Sequence, residues 1–119
     1  MKVIIAGTRD VSDMRCLLKA LEVTAFQVST ILSGGARGID TLAYQYGKRH
    51  NIPVELYPAD WDNLGRAAGP IRNDQMAEAG DALIALWDGV SPGTKNMIDA
   101  MKARGKPVEV YLVPNCTKL

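Results

Sequence analysis

Apolar residues along this chain alternate between short continuous runs and longer stretches in which they recur every three or four positions. The continuous runs predict five strands, at residues 2–6, 28–32, 54–57, 82–87 and 108–113. The periodic stretches predict four helices: one capped by Ser12 or Asp13 that carries Met14, Leu17, Leu18 and Leu21, one over residues 38–49, one that begins at Pro70 and carries Ile71, Met76 and Ala77, and one over residues 94–104. The residues from Pro114 onward are expected to form a loose tail.

This alternation of strand and helix predicts an α/β protein, a single domain over residues 1–119 with a doubly wound, five-stranded, mainly parallel sheet. The first and fourth strands are continuously apolar, as strands buried on both faces are, whereas Glu55 and Glu109 interrupt the third and fifth. This contrast favours the strand order 3-2-1-4-5. The winding then reverses between strands 1 and 4, and sheets of this kind bind their ligands beside that reversal, at the carboxyl ends of the strands.

Charge and cysteine content narrow the function classes. The net charge is +1, from 14 basic and 13 acidic residues, so a nucleic-acid partner is not expected. No apolar run reaches the roughly 18 residues that a membrane span needs, and no membrane partner is expected. Cys16 and Cys116 lack metal-ligand spacing and indicate free thiols in a cytoplasmic protein. The single histidine, His50, falls at a helix end, and neither a histidine triad, a metal nor another cofactor is expected.

The glycine-rich segment S-G-G-A-R-G-I-D at residues 33–40 separates the second strand from the second helix. Its three glycines allow positive φ angles and a close approach to a ligand, and its amides together with the helix N-terminus can bind a phosphate. A plain tight turn is the alternative.

Two further loops with glycine and hydroxyl groups lie at the same predicted edge, at residues 7–9 and 88–94. Gly93 and Thr94 open a helix, so their N–H groups can bind a phosphate, although Thr94 is also an ordinary N-cap residue.

The stretch at residues 58–69 is the longest irregular segment, and a loop of this length is usually functional or a lid. Beyond it, Arg72 and Asn73 face the same edge if the stretch folds over it, and Arg72 is a candidate for a bidentate contact to a phosphate or carboxylate; the alternative is a surface arginine. Trp61 is favoured over Trp87 for stacking on a base, because Trp87 continues an apolar strand.

The dinucleotide fingerprint G-x-G-x-x-G does not follow the first strand, and the P-loop G-x-x-x-x-G-K-[ST] is absent. A dehydrogenase or an NTPase is therefore not expected.

Five ordered motifs resemble the SLOG superfamily, and more narrowly its small stand-alone cpYpsA-related branch. They are G-T-R-D at 7–10, S-G-G-A-R-G-I-D at 33–40, P-A-D-W at 58–61, G-P-I-R-N at 69–73, and W-D-G at 87–89 with S-P-G-T-K-N-M at 91–97. The resemblance implies a Rossmann-like fold and a nucleotide or nucleotide-derived ligand. The superfamily includes the Lonely Guy phosphoribohydrolases, which cleave the base from a nucleoside 5′-monophosphate, and the DNA-processing protein A family, which binds single-stranded DNA.

Two Lonely Guy motifs can be placed on this chain. R-K-x-x-M matches residues 72–76, which gives Arg72 the position of the catalytic arginine. P-G-G-x-G-T-x-x-E matches in part, with Gly93 and Thr94 kept and Met97 at the position of the catalytic glutamate. Because a carboxylate normally stabilises the oxocarbenium-like transition state, hydrolysis would need a substitute. The candidate catalytic residues are Arg72, Asp40, Asp60 and Asp88, although the three aspartates also suit a helix first turn or a loop.

The leading hypothesis is a site for a small phosphorylated nucleotide or ribose-phosphate ligand, with the phosphate on the amides of residues 34–35 and 93–94. N-glycosidic hydrolysis there is open, a non-catalytic nucleotide-sensing module is the main alternative, and a single-stranded DNA-binding module is the third. By analogy with the superfamily a homodimer or higher homo-oligomer is expected. The candidate ligand-binding residues are Gly7, Thr8, Arg9, Ser33, Gly34, Gly35, Arg37, Gly38, Trp61, Asn73, Gly89, Ser91, Gly93 and Thr94.

Overall fold

A computed structural model describes residues 1–114 and 116–118. The strands are β1 (Lys2–Gly7), β2 (Thr30–Ser33), β3 (Val54–Leu56), β4 (Ala82–Trp87), β5 (Val108–Leu112) and β6 (Thr117–Lys118). The helices are α1 (Met14–Val23), α2 (Ile39–Arg49), α3 (Trp61–Leu64), α4 (Ala68–Ala79) and α5 (Pro92–Ala103), with a 3₁₀ turn over Gly65–Ala67. None of the helices in the described ranges is both long and apolar enough to cross a membrane.

The strands form one mixed sheet in the order β3-β2-β1-β4-β5-β6. The first five are parallel, which confirms the order predicted for them. The sheet has six strands rather than five, because β6 turns back and pairs antiparallel with β5, Tyr111 opposite Lys118. The expectation of a loose tail after Pro114 was therefore wrong for the residues described there.

The two cysteines form a disulfide, so the expectation of free thiols was also wrong. Cys16 is buried on α1 and Cys116 immediately precedes β6, so the bond fastens the last strand to the first helix. The two residues are 100 positions apart, and no local pattern in the sequence indicates that they meet.

The sheet separates two apolar layers. On one face, α1 and α2 cover a cluster that includes Val3, Leu17 and Ile84; on the other, α4 and α5 cover one that includes Ile4 and Met76. Side chains of β1 and β4 contribute to both layers because successive residues of a strand point to opposite faces. This explains why the central strands are continuously apolar in sequence.

Glu109 on β5 was expected on an exposed edge, but it is buried. Its carboxylate accepts hydrogen bonds from the hydroxyls of Thr24 (2.7 Å) and Tyr111 (2.8 Å) and from the N–H of Ala25 (3.1 Å). Burial alone would raise the pKa of Glu109, but these hydrogen bonds outweigh it and lower the pKa. The polar residue of this strand thus ties α1 to the sheet.

The segment at residues 58–69, expected to be irregular, is largely helical. Asp60 begins α3 by accepting a hydrogen bond from the N–H of Asn63 (3.4 Å), and α4 starts at Ala68, two residues before the expected Pro70. The far end of α4 is held by Lys106, whose ammonium group donates to the carbonyl oxygens of Ala77, Glu78 and Gly80 at 2.7–2.9 Å. A cation at a helix C-terminus also complements the helix dipole. Lys106 therefore fixes the helix that carries the residues described next.

Candidate functional site

A cavity of about 520 Å³ opens at the carboxyl ends of β1 and β4, where the winding of the sheet reverses. A second cavity of about 330 Å³ adjoins it. Four residues belong to the walls of both: Arg9, Ala36, Trp61 and Arg72. We call the larger cavity the main cavity and the smaller one the side cavity.

Charge in the main cavity departs from the balance of the whole chain. Its lining includes four arginines, Arg9, Arg37, Arg66 and Arg72, against two acidic residues, Asp10 and Asp40. A concave, locally positive surface attracts anions even when the protein as a whole is nearly neutral.

The N-terminus of α5 faces this cavity with unused donors. Ser91 is the N-cap residue, but its hydroxyl donates to Asp88 (2.7 Å) and makes no capping bond to the helix. Within the described chain the N–H groups of Gly93 and Thr94 have no protein acceptor. The first-turn N–H groups of a helix lack an acceptor within the helix and stay unpaired when no side chain caps them. Those of Gly93 and Thr94 are free to bind an anion.

Arg72 and Asn73 on α4 connect the two glycine-bearing loops. Arg72 donates from Nη1 to the carbonyl of Gly34 (2.7 Å) and from Nε to Oδ1 of Asn73 (3.0 Å). Asn73 in turn donates to the carbonyl of Gly93 (3.2 Å) and to Oδ1 of Asn96 (2.9 Å). The guanidinium lies so close to Gly34 that a Cβ atom there would collide with it. Both loops therefore meet at one edge of the sheet.

Asp40 is the one strongly perturbed carboxyl group among the residues of the main cavity that the structure describes. It is 6% exposed, and burial raises its pKa to about 6, even though the N–H groups of Ala36 (3.2 Å) and Gly7 and the charges of Arg72 and Arg9 act in the opposite direction. Burial, partly offset by Asp40, lowers the pKa of Arg72, and Arg9 lowers it further.

The loop at residues 33–40 differs from the expected phosphate cradle. The N–H of Gly35 donates to the hydroxyl of Ser33 (3.2 Å), and the N–H of Ala36 donates to Oδ2 of Asp40. The anion held by this loop is therefore the protein's own carboxylate. Gly34 and Gly35 line the side cavity, whereas Gly93 and Thr94 line the main one, so the two pairs of amides do not surround a single group.

The structure brings most of the candidate residues to the two cavities. The main cavity is lined by Gly7, Thr8, Arg9, Arg37, Asp40, Trp61, Arg72, Asn73, Ser91, Gly93 and Thr94. Gly34 and Gly35 line the side cavity. The walls of neither include Ser33, Gly38, Asp60, Asp88 or Gly89.

Two of the candidates outside the cavities, Asp60 and Asp88, use their carboxylates to accept hydrogen bonds within the protein. Asp60 caps α3. Asp88 accepts from the hydroxyl and N–H of Ser91 and the N–H of Val90, and these bonds lower its pKa. Both carboxylate oxygens of Asp88 are thus engaged in its own turn.

The two tryptophans differ in exposure and in their contacts. Trp61 is 50% exposed and lines both cavities, whereas Trp87 donates its ring N–H to the carbonyl of Ser91 (3.0 Å) and packs on the α4–α5 layer.

Two further polar residues that line the main cavity, Arg66 and Asn96, were not among the residues predicted from the sequence. Arg66 lies in the segment at residues 58–69 that was expected to be functional or a lid, and no other feature of the sequence indicated that it lines the cavity.

A model of the YspA, cpYpsA-related SLOG family (YAcAr) matches residues 1–63, which is more than half of the chain. The chain belongs to this SLOG family. The matched part of the SLOG domain includes both glycine loops of the first half and Trp61, and it ends before Arg72. The chain is also similar to the Gene 61 protein of Mycobacterium phage D29, with 34% identity over 116 residues that cover 90% of this chain and 93% of that protein. No solved structure matches it. Membership in the SLOG family supports a general role in binding or processing a nucleotide-related ligand.

Proposed function

We propose that this SLOG protein binds a small phosphorylated nucleotide or nucleotide-derived ligand in the main cavity, with a phosphate at the N-terminus of α5. The observation that supports this most is the pair of N–H groups of Gly93 and Thr94, which are left without acceptors while Ser91 is turned toward Asp88. A helix N-terminus whose donors are free is a preferred phosphate site.

The surroundings of that position suit the ligand class. Arg72 uses Nε and Nη1 within the protein, while Nη2 has no acceptor among the described residues and is available to a phosphate or a sugar hydroxyl. Arg9 and Arg37 add positive charge to the lining of the main cavity. The cavity volume of about 520 Å³ lies within the range of about 300–1,000 Å³ of small-molecule sites.

Gly93→Asp tests the phosphate position. A Cβ atom at Gly93 meets nothing within 4 Å, so the protein has room for the side chain, and a first-turn carboxylate favours the helix. We expect nucleoside monophosphates to bind at least about tenfold more weakly, because like charges brought together cost several kcal/mol. Isothermal titration calorimetry with adenosine and guanosine monophosphates measures this.

Gly93→Asn is the matched control, since it adds the same volume without charge and is expected to lose less affinity. If Gly93→Asp binds nucleoside monophosphates with wild-type affinity, the phosphate does not lie at the N-terminus of α5. Binding of oligonucleotides but of no mononucleotide would favour the single-stranded DNA-binding alternative.

A second candidate function, hydrolysis of the N-glycosidic bond, is favoured by Asp40. Met97 is buried in the α4–α5 layer and supplies no carboxylate. Of the three candidate aspartates, Asp60 and Asp88 lie outside the cavity, and Asp40 lines it, buried and with its pKa raised to about 6. In this reaction water adds to the anomeric carbon, the bond from that carbon to the base nitrogen breaks with its electron pair going to the base, and a proton passes from water through Asp40 to the leaving base. A pKa near neutrality suits a group that takes up and returns a proton.

Free base released from nucleoside monophosphates, separated by chromatography, is the readout for hydrolysis. We expect release by the wild type and a loss of at least about a hundredfold in Asp40→Asn, the usual scale of general acid–base catalysis. Asp60→Asn, an exposed aspartate outside the cavity whose replacement still caps α3, is the matched control. Binding without release by the wild type would leave a nucleotide-sensing module.

A further inference from the structure

The side cavity is not needed by a phosphate at the N-terminus of α5, because Gly93 and Thr94 do not line it. Its volume of about 330 Å³ is at the lower end of the range for small-molecule sites, about 300 Å³. A mononucleotide held in the main cavity would leave this second space open.

Much of the lining of the side cavity is apolar or aromatic. Leu56, Pro58 and Ala59 stand beside Trp61, and Leu56 and Trp61 are each 50% exposed. Neighbouring apolar side chains exposed in a concave surface are typical of a binding site. A half-exposed indole offers a face on which a flat ring can stack.

The charged residues of the side cavity are all positive. Arg9 and Arg72 are its only charged lining residues in the described chain, and both also line the main cavity. A group that passes from one cavity to the other therefore passes two guanidinium groups, which pair well with phosphate oxygens.

We propose that the two cavities take the two halves of one ligand of the dinucleotide class, two nucleosides joined through a pyrophosphate. The half whose phosphate lies at α5 occupies the main cavity, the pyrophosphate passes Arg9 and Arg72, and the second base lies in the side cavity on Trp61. This proposal rests on the proposed function for the first half of the ligand.

Calorimetry with wild-type protein tests the proposal with two matched series. The adenosine series comprises adenosine monophosphate, adenosine diphosphate and the dinucleotide in which two adenosines share a pyrophosphate; the guanosine series is built in the same way. The diphosphate controls for the second phosphate group, to which the dinucleotide adds a second nucleoside through an ester bond that removes one negative charge. In at least one series we expect the dinucleotide to bind at least about fivefold more tightly than the diphosphate, the lower end of base–aromatic stacking.

Ala59→Phe fills the side cavity and leaves the lining of the main cavity unchanged. We expect it to abolish the advantage of the dinucleotide while the affinity for the monophosphate stays within about twofold. The matched control is Ala103→Phe, at the exposed end of α5 and in neither lining, which should alter neither affinity.

The outcomes separate this proposal from the proposed function. Equal affinities for the diphosphate and the dinucleotide in both series overturn the two-cavity ligand while leaving nucleotide binding intact, and this comparison needs no variant. A loss of monophosphate affinity in Ala59→Phe that matches the loss of dinucleotide affinity would place a single nucleotide across both cavities and also overturn it. Absence of binding by all six nucleotides would instead refute the proposed function.

Discussion

Asp40→Asn is expected to raise the free energy of unfolding at pH 7 by up to about 3 kcal/mol. The carboxyl group has a pKa of about 6 in the folded protein against a model value of 3.8, a difference of about 2 pKa units at 1.36 kcal/mol each. At pH 7 the folded protein therefore holds an ionised group that burial disfavours. Asparagine is similar in shape, carries no charge and can still accept the hydrogen bond from the N–H of Ala36.

The pH dependence of this effect has a defined sign. Between pH 4 and pH 6 the folded state binds more protons at Asp40 than the unfolded state, so this group's contribution to stability falls as the pH rises through its folded pKa. The gain from Asp40→Asn should be full above pH 6 and vanish near pH 4. Urea denaturation of both proteins at pH 7 and pH 4 measures it, with Asp60→Asn as the control. If Asp40→Asn is instead less stable than the wild type at pH 7, the attraction of Arg72 and Arg9 for the ionised carboxylate outweighs the free-energy cost of burying it.

Such a gain would also bear on function. A residue that costs the protein stability while lining a cavity is characteristic of a site in which stability has been exchanged for activity. If Asp40→Asn is more stable and releases no base, both results come from the same buried charge. If it is more stable and still releases base, Asp40 is not the catalytic group.

Reduction of the Cys16–Cys116 disulfide is expected to lower the free energy of unfolding by about 2–5 kcal/mol. The bond joins positions 100 residues apart, and the entropy that a cross-link removes from the unfolded chain grows with the length of the closed loop. Denaturation with and without dithiothreitol measures the difference.

The matched control for reduction is the double variant Cys16→Ala/Cys116→Ala, which should have the stability of the reduced protein and no response to dithiothreitol. An equal denaturation midpoint for oxidised and reduced wild type would contradict the expectation and leave β6 held by its pairing with β5 alone. The cytoplasmic location expected from the sequence stays a prediction.

The order of the first five strands could be predicted from the sequence because the pattern of apolar residues within a strand indicates whether one or both of its faces are buried. The apolar runs of β1 and β4 and the interrupted runs of β3 and β5 sufficed. The strand β6 and the disulfide could not be predicted in this way, since both depend on contacts between distant positions. Glu109 shows the same limit: its hydrogen-bond partner Thr24 is 85 positions away.

For the candidate site, the sequence predicted the edge of the sheet but not how the donors there are used. The loops and Arg72 meet as expected because parallel strands place their carboxyl ends together. That the loop at residues 33–40 would enclose Asp40 depends on burial, and a first-turn acid of a helix looks the same in sequence whether it is exposed or buried. The free amides at α5 follow from the orientation of the Ser91 hydroxyl, which no spacing encodes.

The two ends of the sheet constrain how copies of this chain could assemble. At one end lies β3, of three residues, and at the other, within the described chain, β6, of two. Strands this short offer few free backbone groups, so joining two sheets into one across subunits would gain little and aggregation by that path is suppressed. The homo-oligomer expected by analogy stays a prediction, and strand pairing between subunits would contribute little to it.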